Sequence, residues 1–360
     1  HKGLQSAWPG KTVYEIGTGS GLLAMMAARS GANHVYTCEA VPLVADTANR
    51  IVARNGLADR ITVLSKPSQA VQVGADLTAE STEELRATVQ DAMDKHGVCV
   101  VRQGPISDED QIRFARLFGP LELPPGYGTR PRGRMAPELF FAGNLDLEGN
   151  IKPLTPANQN IAKGAERFHA DSSFNPLPSK WSMLRGVECP PSEVGGDTLF
   201  VDLRAGYEAL PQETKDKIDG KMGIHDFWRG RQYAGLEVTD EMRANMPMPP
   251  VLHPLVRVSG DGRKAVFVGG HCVGVEGMSD EEGHALVEEI YDFVTQPRFV
   301  HRHHWTQGDI VIWDNRFALH AATPLETDQY RRDMRRATIN ESGDEIDTYE
   351  YRRRQAETAA

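Results

Sequence analysis

Phe168-His169-Ala170-Asp171-Ser172-Ser173-Phe174 decides how this chain is read, together with Gly308-Asp309-Ile310-Val311-Ile312-Trp313-Asp314-Asn315-Arg316 and the Leu319-His320 beyond it. Side chains two residues apart on a strand point to the same face. His169 and Asp171 can therefore offer an imidazole and a carboxylate to one point. Alone the pair is weak evidence: the chain has 12 histidines, and a capped turn or a surface pair spells the same way. The second segment reads as an apolar strand, a polar turn and a returning strand that begins near His320. That return would bring a second imidazole to the first pair. Two imidazoles and a carboxylate leave half of an octahedral metal sphere open, the donor set of non-haem ferrous oxygenases. A structural zinc site, closed by its four ligands, leaves no such room.

Further along stands Arg331-Arg332-Asp333-Met334-Arg335-Arg336-Ala337-Thr338-Ile339. On a strand, Arg332, Arg336 and Thr338 share one face and Arg335 takes the other. A basic run is usually solvated surface. Here the Ala-Thr-Ile that follows leads into a core, and a buried guanidinium needs an anion that its planar fork can hold. Two inward arginines imply two anions. Short apolar runs at 198–201, 265–268 and 309–313, with helical stretches at 205–218 and 279–295, suggest a β-sandwich or barrel decorated with helices. Upstream, 81–96 reads as an amphipathic helix with Leu85, Val89 and Met93 at helical spacing. A strand at 98–101 follows, then a helix that Ser107 could cap, running to Phe118.

These motifs resemble the taurine dioxygenase/TfdA family, nearest the 2,4-dichlorophenoxyacetate dioxygenase branch. The likeness runs from about Gly74 to Tyr351. It rests on the His169–Phe174 segment, Gly195-Gly196-Asp197-Thr198, Trp313-Asp314-Asn315-Arg316 with His320, and the 331–338 run; His320 lies 12 residues before Arg332. The resemblance implies a double-stranded β-helix, or jelly roll, in which His169, Asp171 and His320 hold Fe(II). It implies that Arg332, helped by Thr198, binds the distal carboxylate of 2-oxoglutarate, the co-substrate consumed with O2. Arg336 matches the position that takes the substrate's anionic head; His225 and His271, by position, line the substrate side. The implied reaction hydroxylates a small anionic organic molecule, releasing succinate and CO2. An aryloxyalkanoate such as a phenoxyacetate, cleaved at its ether, is the favoured substrate, and an alkylsulfonate the alternative. Relatives assemble as dimers or tetramers, so a homo-oligomer is expected. His301-Arg302-His303-His304 has the look of a metal tract, but its place before Trp305 and the Gly308-Asp309 turn favours a structural role.

The first 74 residues read differently. A strand at 12–16 runs into Gly17-Thr18-Gly19-Ser20-Gly21, followed by a helix, a strand ending in Glu39, a second helix and a strand at 61–64. That order marks a nucleotide-binding unit of the doubly wound class, here a partial Rossmann-like α/β unit. It resembles the S-adenosylmethionine site of class I methyltransferases, and the stretch to Ser68 is similar to the protein arginine methyltransferases. The likeness implies that Gly17, Gly19 and Gly21 admit the cofactor to the backbone and that Glu39 accepts from its ribose hydroxyls. The paired-glutamate loop of those enzymes has no counterpart, so residual S-adenosylmethionine binding is the most that is expected, with methyl transfer the competing reading. The organisation expected is a fragment at 1–74, a dioxygenase domain at 75–355 and a tail at 356–360.

Composition narrows the field. Lys and Arg total 40 against 50 Asp and Glu, a net charge of −10, which speaks against a nucleic-acid partner. Cys38, Cys99, Cys189 and Cys272 are scattered without a CxxC pair, as buried thiols of a reducing cytosol would be. No apolar run has bilayer length and no signal peptide opens the sequence. No membrane partner and a cytoplasmic location are the expectation.

Overall fold

The computed structural model describes residues 9–10, 12–16, 22–39, 42–65, 71–73, 83–102, 104–125, 127, 134–153, 155, 163–325, 329–341 and 343–347. Its contacts divide the chain into His1–Ala70 and Val71–Ala360.

In the first unit, strands β1 (Thr12–Ile16), β2 (His34–Glu39) and β3 (Ile61–Ser65) lie parallel in that order. Parallel neighbours need crossovers, and helices Leu22–Arg29 and Pro42–Arg54 supply them. Ala24, Ala27 and Ala28 let the first helix sit close on Val13, Val35 and Ile61. Gly31, at φ +96°, ends it in the left-handed conformation that favours glycine. Gly17, Gly19 and Gly21 lie outside the described residues, and Glu39 is the last residue of β2.

The second unit contains β4 (Val71–Val73), β5 (Val98–Arg102), β6 (Leu121–Leu123), β7 (Phe140–Phe141), β8 (Ser179–Glu188), β9 (Thr198–Asp202), β10 (Met222–His225), β11 (Val251–Pro254), β12 (Val256–Val258), β13 (Lys264–Val266), β14 (Cys272–Val275), β15 (Val300–His303), β16 (Asp309–Asp314), β17 (Ala318–Ala322), β18 (Asp333–Asn340) and β19 (Ile346–Asp347). An eight-stranded sheet runs β19-β6-β18-β8-β16-β5-β4 with β7 on β18, and a smaller sheet runs β15-β9-β17. Consecutive strands β8 and β9, β15 and β16, β16 and β17, and β17 and β18 alternate between these two sheets. That exchange is the winding of a jelly roll. Phe200 of β9 meets Trp313 of β16 at 5.5 Å between ring centroids, which ties the two sheets together.

The apolar run of β16 is buried throughout because it is central, paired with β8 and β5. Trp181, Met183, Ile310, Ile312 and Ile339 pack against Val89, Met93 and Phe114 of helices Glu83–His96 and Asp108–Ala115. A second core joins Val201 and Leu319 to Leu286, Val287, Ile290 and Val294 of helix Asp280–Val294. Reciprocal capping boxes, Ser107 with Asp110 and Ser279 with Glu282, start two of these helices. Two helices differ from expectation. The 205–218 stretch is two helices, Leu203–Ala209 and Gln212–Ile218, because Pro211 drives Leu210 to ψ 145° and breaks the run. The helix expected to reach Phe118 ends at Ala115. Among the described residues, no helix is long and apolar enough to cross a membrane.

Candidate active site

His169 and His320 face each other as an antiparallel bridge, each donating its backbone N–H to the other's carbonyl at 2.9 Å. Their rings lie 4.2 Å apart. Asp171 is not in a strand, as the spacing had suggested, but opens a turn. Ser172 takes φ +54°, and Asn175 N–H donates to its carbonyl at 2.9 Å. The turn is held from outside: Asp171 N–H donates to Asn315 Oδ1 at 3.0 Å, and Ser179 Oγ to the Asp171 carbonyl at 2.8 Å. Asn315 is fixed in its turn by Trp313 Nε1 and by its own amide on Ser182 Oγ, both at 3.0 Å. The Trp-Asp-Asn segment thus builds the seat of the carboxylate. His169 Nε2 lies 4.0 Å from Asp171 Oδ1, and His320 Nε2 3.7 Å from Oδ2. All three donors fall within 4.8 Å of one another, a set that could hold a metal ion.

The electrostatics suit that use. His169 Nδ1 is 2.8 Å from the Arg167 carbonyl. A carbonyl only accepts, so Nδ1 carries the proton and Nε2 turns its lone pair toward Asp171. Burial lowers the pKa of His169 and takes His320 down to about 3, against the opposing pull of Asp171. Both rings are neutral at pH 7, with lone pairs free for a metal. Burial works to raise the Asp171 pKa, but Arg336, the two imidazoles and Ser182 Oγ, 2.6 Å away, outweigh it and hold the carboxyl far below its usual range. Two neutral nitrogens and an anionic oxygen fit a divalent ion of the iron class.

Of the basic run, Arg336 reaches this cluster, and Arg332 lies before it in sequence with its guanidinium buried. Arg336 donates through Nη1 to Asp171 Oδ1, and its guanidinium lies 4.9 Å from the Phe140 ring centroid. Arg332 donates through Nη1 to the Ala142 carbonyl, while its buried Nε has no acceptor among the described residues. Burial takes its pKa down to about 10. It runs beside Gly196 (φ +81°), where a Cβ would come within 3.0 Å of Pro190 and 3.7 Å of Arg332. Two residues on, the buried Thr198 Oγ1 accepts from Trp305 Nε1 at 3.0 Å. Indole only donates, so Thr198 keeps its own proton for another acceptor. A guanidinium short of acceptors and a hydroxyl oriented to donate suit a carboxylate ligand.

Comparison with known proteins agrees. The protein-family model "Taurine catabolism dioxygenase TauD, TfdA family" matches residues 61–338. The chain belongs to that family. Its TauD/TfdA part is 40% identical over 255 residues to the alpha-ketoglutarate-dependent 2,4-dichlorophenoxyacetate dioxygenase of Cupriavidus pinatubonensis, covering 69% of this chain and 86% of that protein. It is 32% identical to the (S)-phenoxypropionate/alpha-ketoglutarate-dioxygenase of Sphingobium herbicidovorans, covering 68% and 82%. The solved structure of AAD-2 in complex with Mn(II) and N-oxalylglycine superposes with a TM-score of 0.68 at 34% identity, over 77% of this chain and 96% of that one. A second family model, "Ribosomal protein L11 methyltransferase (PrmA)", matches residues 5–111. It is a methyltransferase, of another branch than the arginine methyltransferases the sequence resembles.

The remaining sequence candidates of this TauD/TfdA chain separate in space. The His271 ring is 6.1 Å from His169, 4.9 Å from Phe174 and 5.9 Å from Phe227, and burial pushes its pKa down to about 3. His225 is fully buried in β10, stacked on Phe267 at 5.0 Å and edge-on to His253 at 5.1 Å. The histidine tract lies against carboxylates: His303 Nε2 is 3.3 Å from Asp309, while His304 Nδ1 (2.8 Å) and Arg302 Nε (2.7 Å) both reach Asp197 Oδ2. Arg231, which sequence reasoning passed over, stands over Phe227 at 4.7 Å and so adjoins the His271 group. Its only sequence signal is i, i+4 spacing from Phe227 on one short helix.

Proposed function

We propose that this protein is an Fe(II)- and 2-oxoglutarate-dependent dioxygenase that hydroxylates a phenoxyacetate-type aryloxyalkanoate at the carbon beside the ether oxygen. The hemiacetal so formed collapses and the ether is cleaved. The observation that carries the reading is two neutral imidazoles and one ionised carboxylate converging within 4.8 Å, with an acceptor-poor guanidinium at Arg332. In this reading His169, Asp171 and His320 hold the ferrous ion. Arg332 and Thr198 take the distal carboxylate of 2-oxoglutarate, and Arg336 takes the substrate's anionic head. His271 lines the substrate side, and His225 supports that wall from behind through Phe267 and His253.

Bound ferrous iron, 2-oxoglutarate and O2 supply the oxidation: one oxygen atom enters the substrate C–H bond and the other leaves in succinate, with CO2 released. The chain supplies position. Ser182 and Asn315 fix Asp171, and the Arg167 carbonyl fixes the tautomer of His169. Arg332 and Arg336 hold two carboxylates in register, since a misplaced ligand would leave a buried guanidinium uncompensated. The names of the two relatives support the aryloxyalkanoate class. Free Cys99, Cys189 and Cys272 suit a cytoplasmic, reducing setting in which iron stays ferrous.

Phenoxyacetates, phenoxypropionates and alkylsulfonates should be compared for succinate and phenol release. Phenol and succinate in equal amounts, dependent on Fe(II) and 2-oxoglutarate, are expected from a phenoxyacetate. Turnover of alkylsulfonates alone would move the substrate to the taurine class, and no succinate from any of them would remove the reading.

For residues 1–74 we infer a partial Rossmann-like unit ahead of the dioxygenase domain at 75–355 and the tail at 356–360. Three parallel strands with two crossover helices and the methyltransferase match support it. Equilibrium dialysis against labelled S-adenosylmethionine tests whether it retains cofactor; no uptake would exclude that.

A further inference from the structure

Beside His169 and His271 stands a further guanidinium, Arg231, that meets no anion among the described residues. Helix Phe227–Tyr233 seats Gly230 against Gly270 and His271 so tightly that a Cβ would fall 2.5 Å from the Gly270 carbonyl oxygen and 2.9 Å from His271 Nδ1. Only glycine allows that approach, and the helix is thereby pinned beside the site. Phe227 and Arg231 follow at i and i+4. From the triad outward, His169, His271 and Phe227 stand 6.1 and 5.9 Å apart, with Phe174 4.8 Å from Phe227, and Arg231 caps the Phe227 face at 4.7 Å.

Neighbouring arginines show what is missing. Arg229, on the same helix, bonds Asp280 at 3.0 Å and Tyr233 at 2.9 Å, and Arg167 is paired with Glu288. For Arg231, by contrast, no carboxylate, carbonyl or hydroxyl is an acceptor among the described residues, and its buried Nε is unsatisfied. Burial alone sets its pKa below the ordinary arginine value. Charge tells the same story. A ferrous ion, Asp171, 2-oxoglutarate, Arg332 and Arg336 together leave one positive charge, which a mono-anionic substrate cancels. Arg231 adds another, which only a second anionic group would cancel. Desolvated, uncompensated charge is costly, and a charge-assisted pair removes the cost.

We propose that Arg231, with the aromatic bed of Phe174, Phe227 and His271, forms a second anion subsite, so that the preferred substrate is an aryloxyalkanoate bearing another acidic group on its ring. The inference rests on the aryloxyalkanoate reading above but is measured by binding, which does not depend on turnover.

Protein loaded with Mn(II) and N-oxalylglycine is titrated with 4-carboxyphenoxyacetate and with 4-nitrophenoxyacetate, an uncharged isostere at the ring position, and then with the 3-substituted pair. The ratio of affinities is the readout, because a partly misfolded variant leaves a ratio intact. In the wild type the carboxyl compound of at least one pair should bind about tenfold tighter or more. Arg231→Gln should bring that ratio to about one or below, and Arg231→Lys should keep part of it. A wild-type ratio at or below one in both pairs, or a preference that survives Arg231→Gln, overturns the subsite. Succinate assays with Fe(II), 2-oxoglutarate and O2 separate the two claims. The expected ratio without turnover of any phenoxyacetate leaves the subsite standing and removes the oxygenase reading. Turnover without the ratio does the reverse.

Discussion

On one face of β18, Arg335 lies 2.8 Å from Asp108 and 3.1 Å from Asp333, which also receives Arg134 at 2.7 Å, and Asp108 further binds Arg185. On the other face, Arg336 shares Asp171 with two imidazoles, and Arg332, just ahead of the strand, has among the described residues a backbone carbonyl as its acceptor, through Nη1. The residue type is the same and the bookkeeping differs. Where every guanidinium has its carboxylate, the charges fasten helix Asp108–Ala115 to the sheet. Where a guanidinium shares its one carboxylate with two imidazoles, or has none among the described residues, it is open to a ligand. Unsatisfied buried charge, more than the presence of charge, marks the working face.

The largest effect should come from the working side. Asp171→Ala removes the anionic ligand, and succinate formation should fall at least about a thousandfold. Full turnover in this variant would show that the carboxylate is not a ligand. Next comes the saturated face. Asp108→Ala takes from Arg185 its carboxylate and leaves Arg335 with Asp333 alone, both guanidiniums being largely buried. Urea unfolding should show a loss of about 3 kcal/mol, with the KM for 2-oxoglutarate changed less than about twofold. Arg332→Gln should do the converse, raising that KM about a hundredfold with a smaller change in kcat and no loss of unfolding stability. If the two variants gave the same pattern, the contrast between the faces would be lost.

Smaller effects sharpen the picture. Burial pushes His271 down to about 3 from an ordinary 6.5 and lowers His225 as well. Below pH 6.5 the unfolded chain binds protons that the folded chain refuses. Stability is therefore complete above that pH and lost as pH falls toward the folded values, by about 1 kcal/mol per histidine per pH unit. An unfolding midpoint that stays constant from pH 7 to pH 5 in metal-free protein would contradict the buried, neutral assignment. Trp305→Phe deletes the donor that orients Thr198, and the 2-oxoglutarate KM should rise about threefold. No change would mean that Thr198 is oriented by other groups.

Much of this was legible in the residues. The return at His320 and the alternation along β18 follow from spacing, because strand geometry fixes which side chains share a face; the His169–Asp171 pair was legible as neighbours, but a turn and not a strand brings them together. Other features depend on the tertiary surroundings. The turn at Ser172 relies on Asn315, in the turn after β16, and on Ser179, at the start of β8. The break at Leu210 was visible in Pro211, but helical spacing on either side masked it. Arg231 reads like any helical arginine, since what distinguishes it is the lack of an acceptor among the described residues, and partners are set by packing. The divergent positions of His225 and His271 have the same origin: one is enclosed behind Phe267, the other opens beside His169.

The most direct test of the central claim is anaerobic titration of the purified protein with Fe(II) in the presence of 2-oxoglutarate, followed by the visible charge-transfer absorption of a ferrous 2-oxo-acid chelate. One ferrous ion per chain should produce the band, and Asp171→Ala and His320→Ala should each abolish it. A band that persists in both variants, or none in the wild type at saturating Fe(II), would contradict a single ferrous site built from His169, Asp171 and His320.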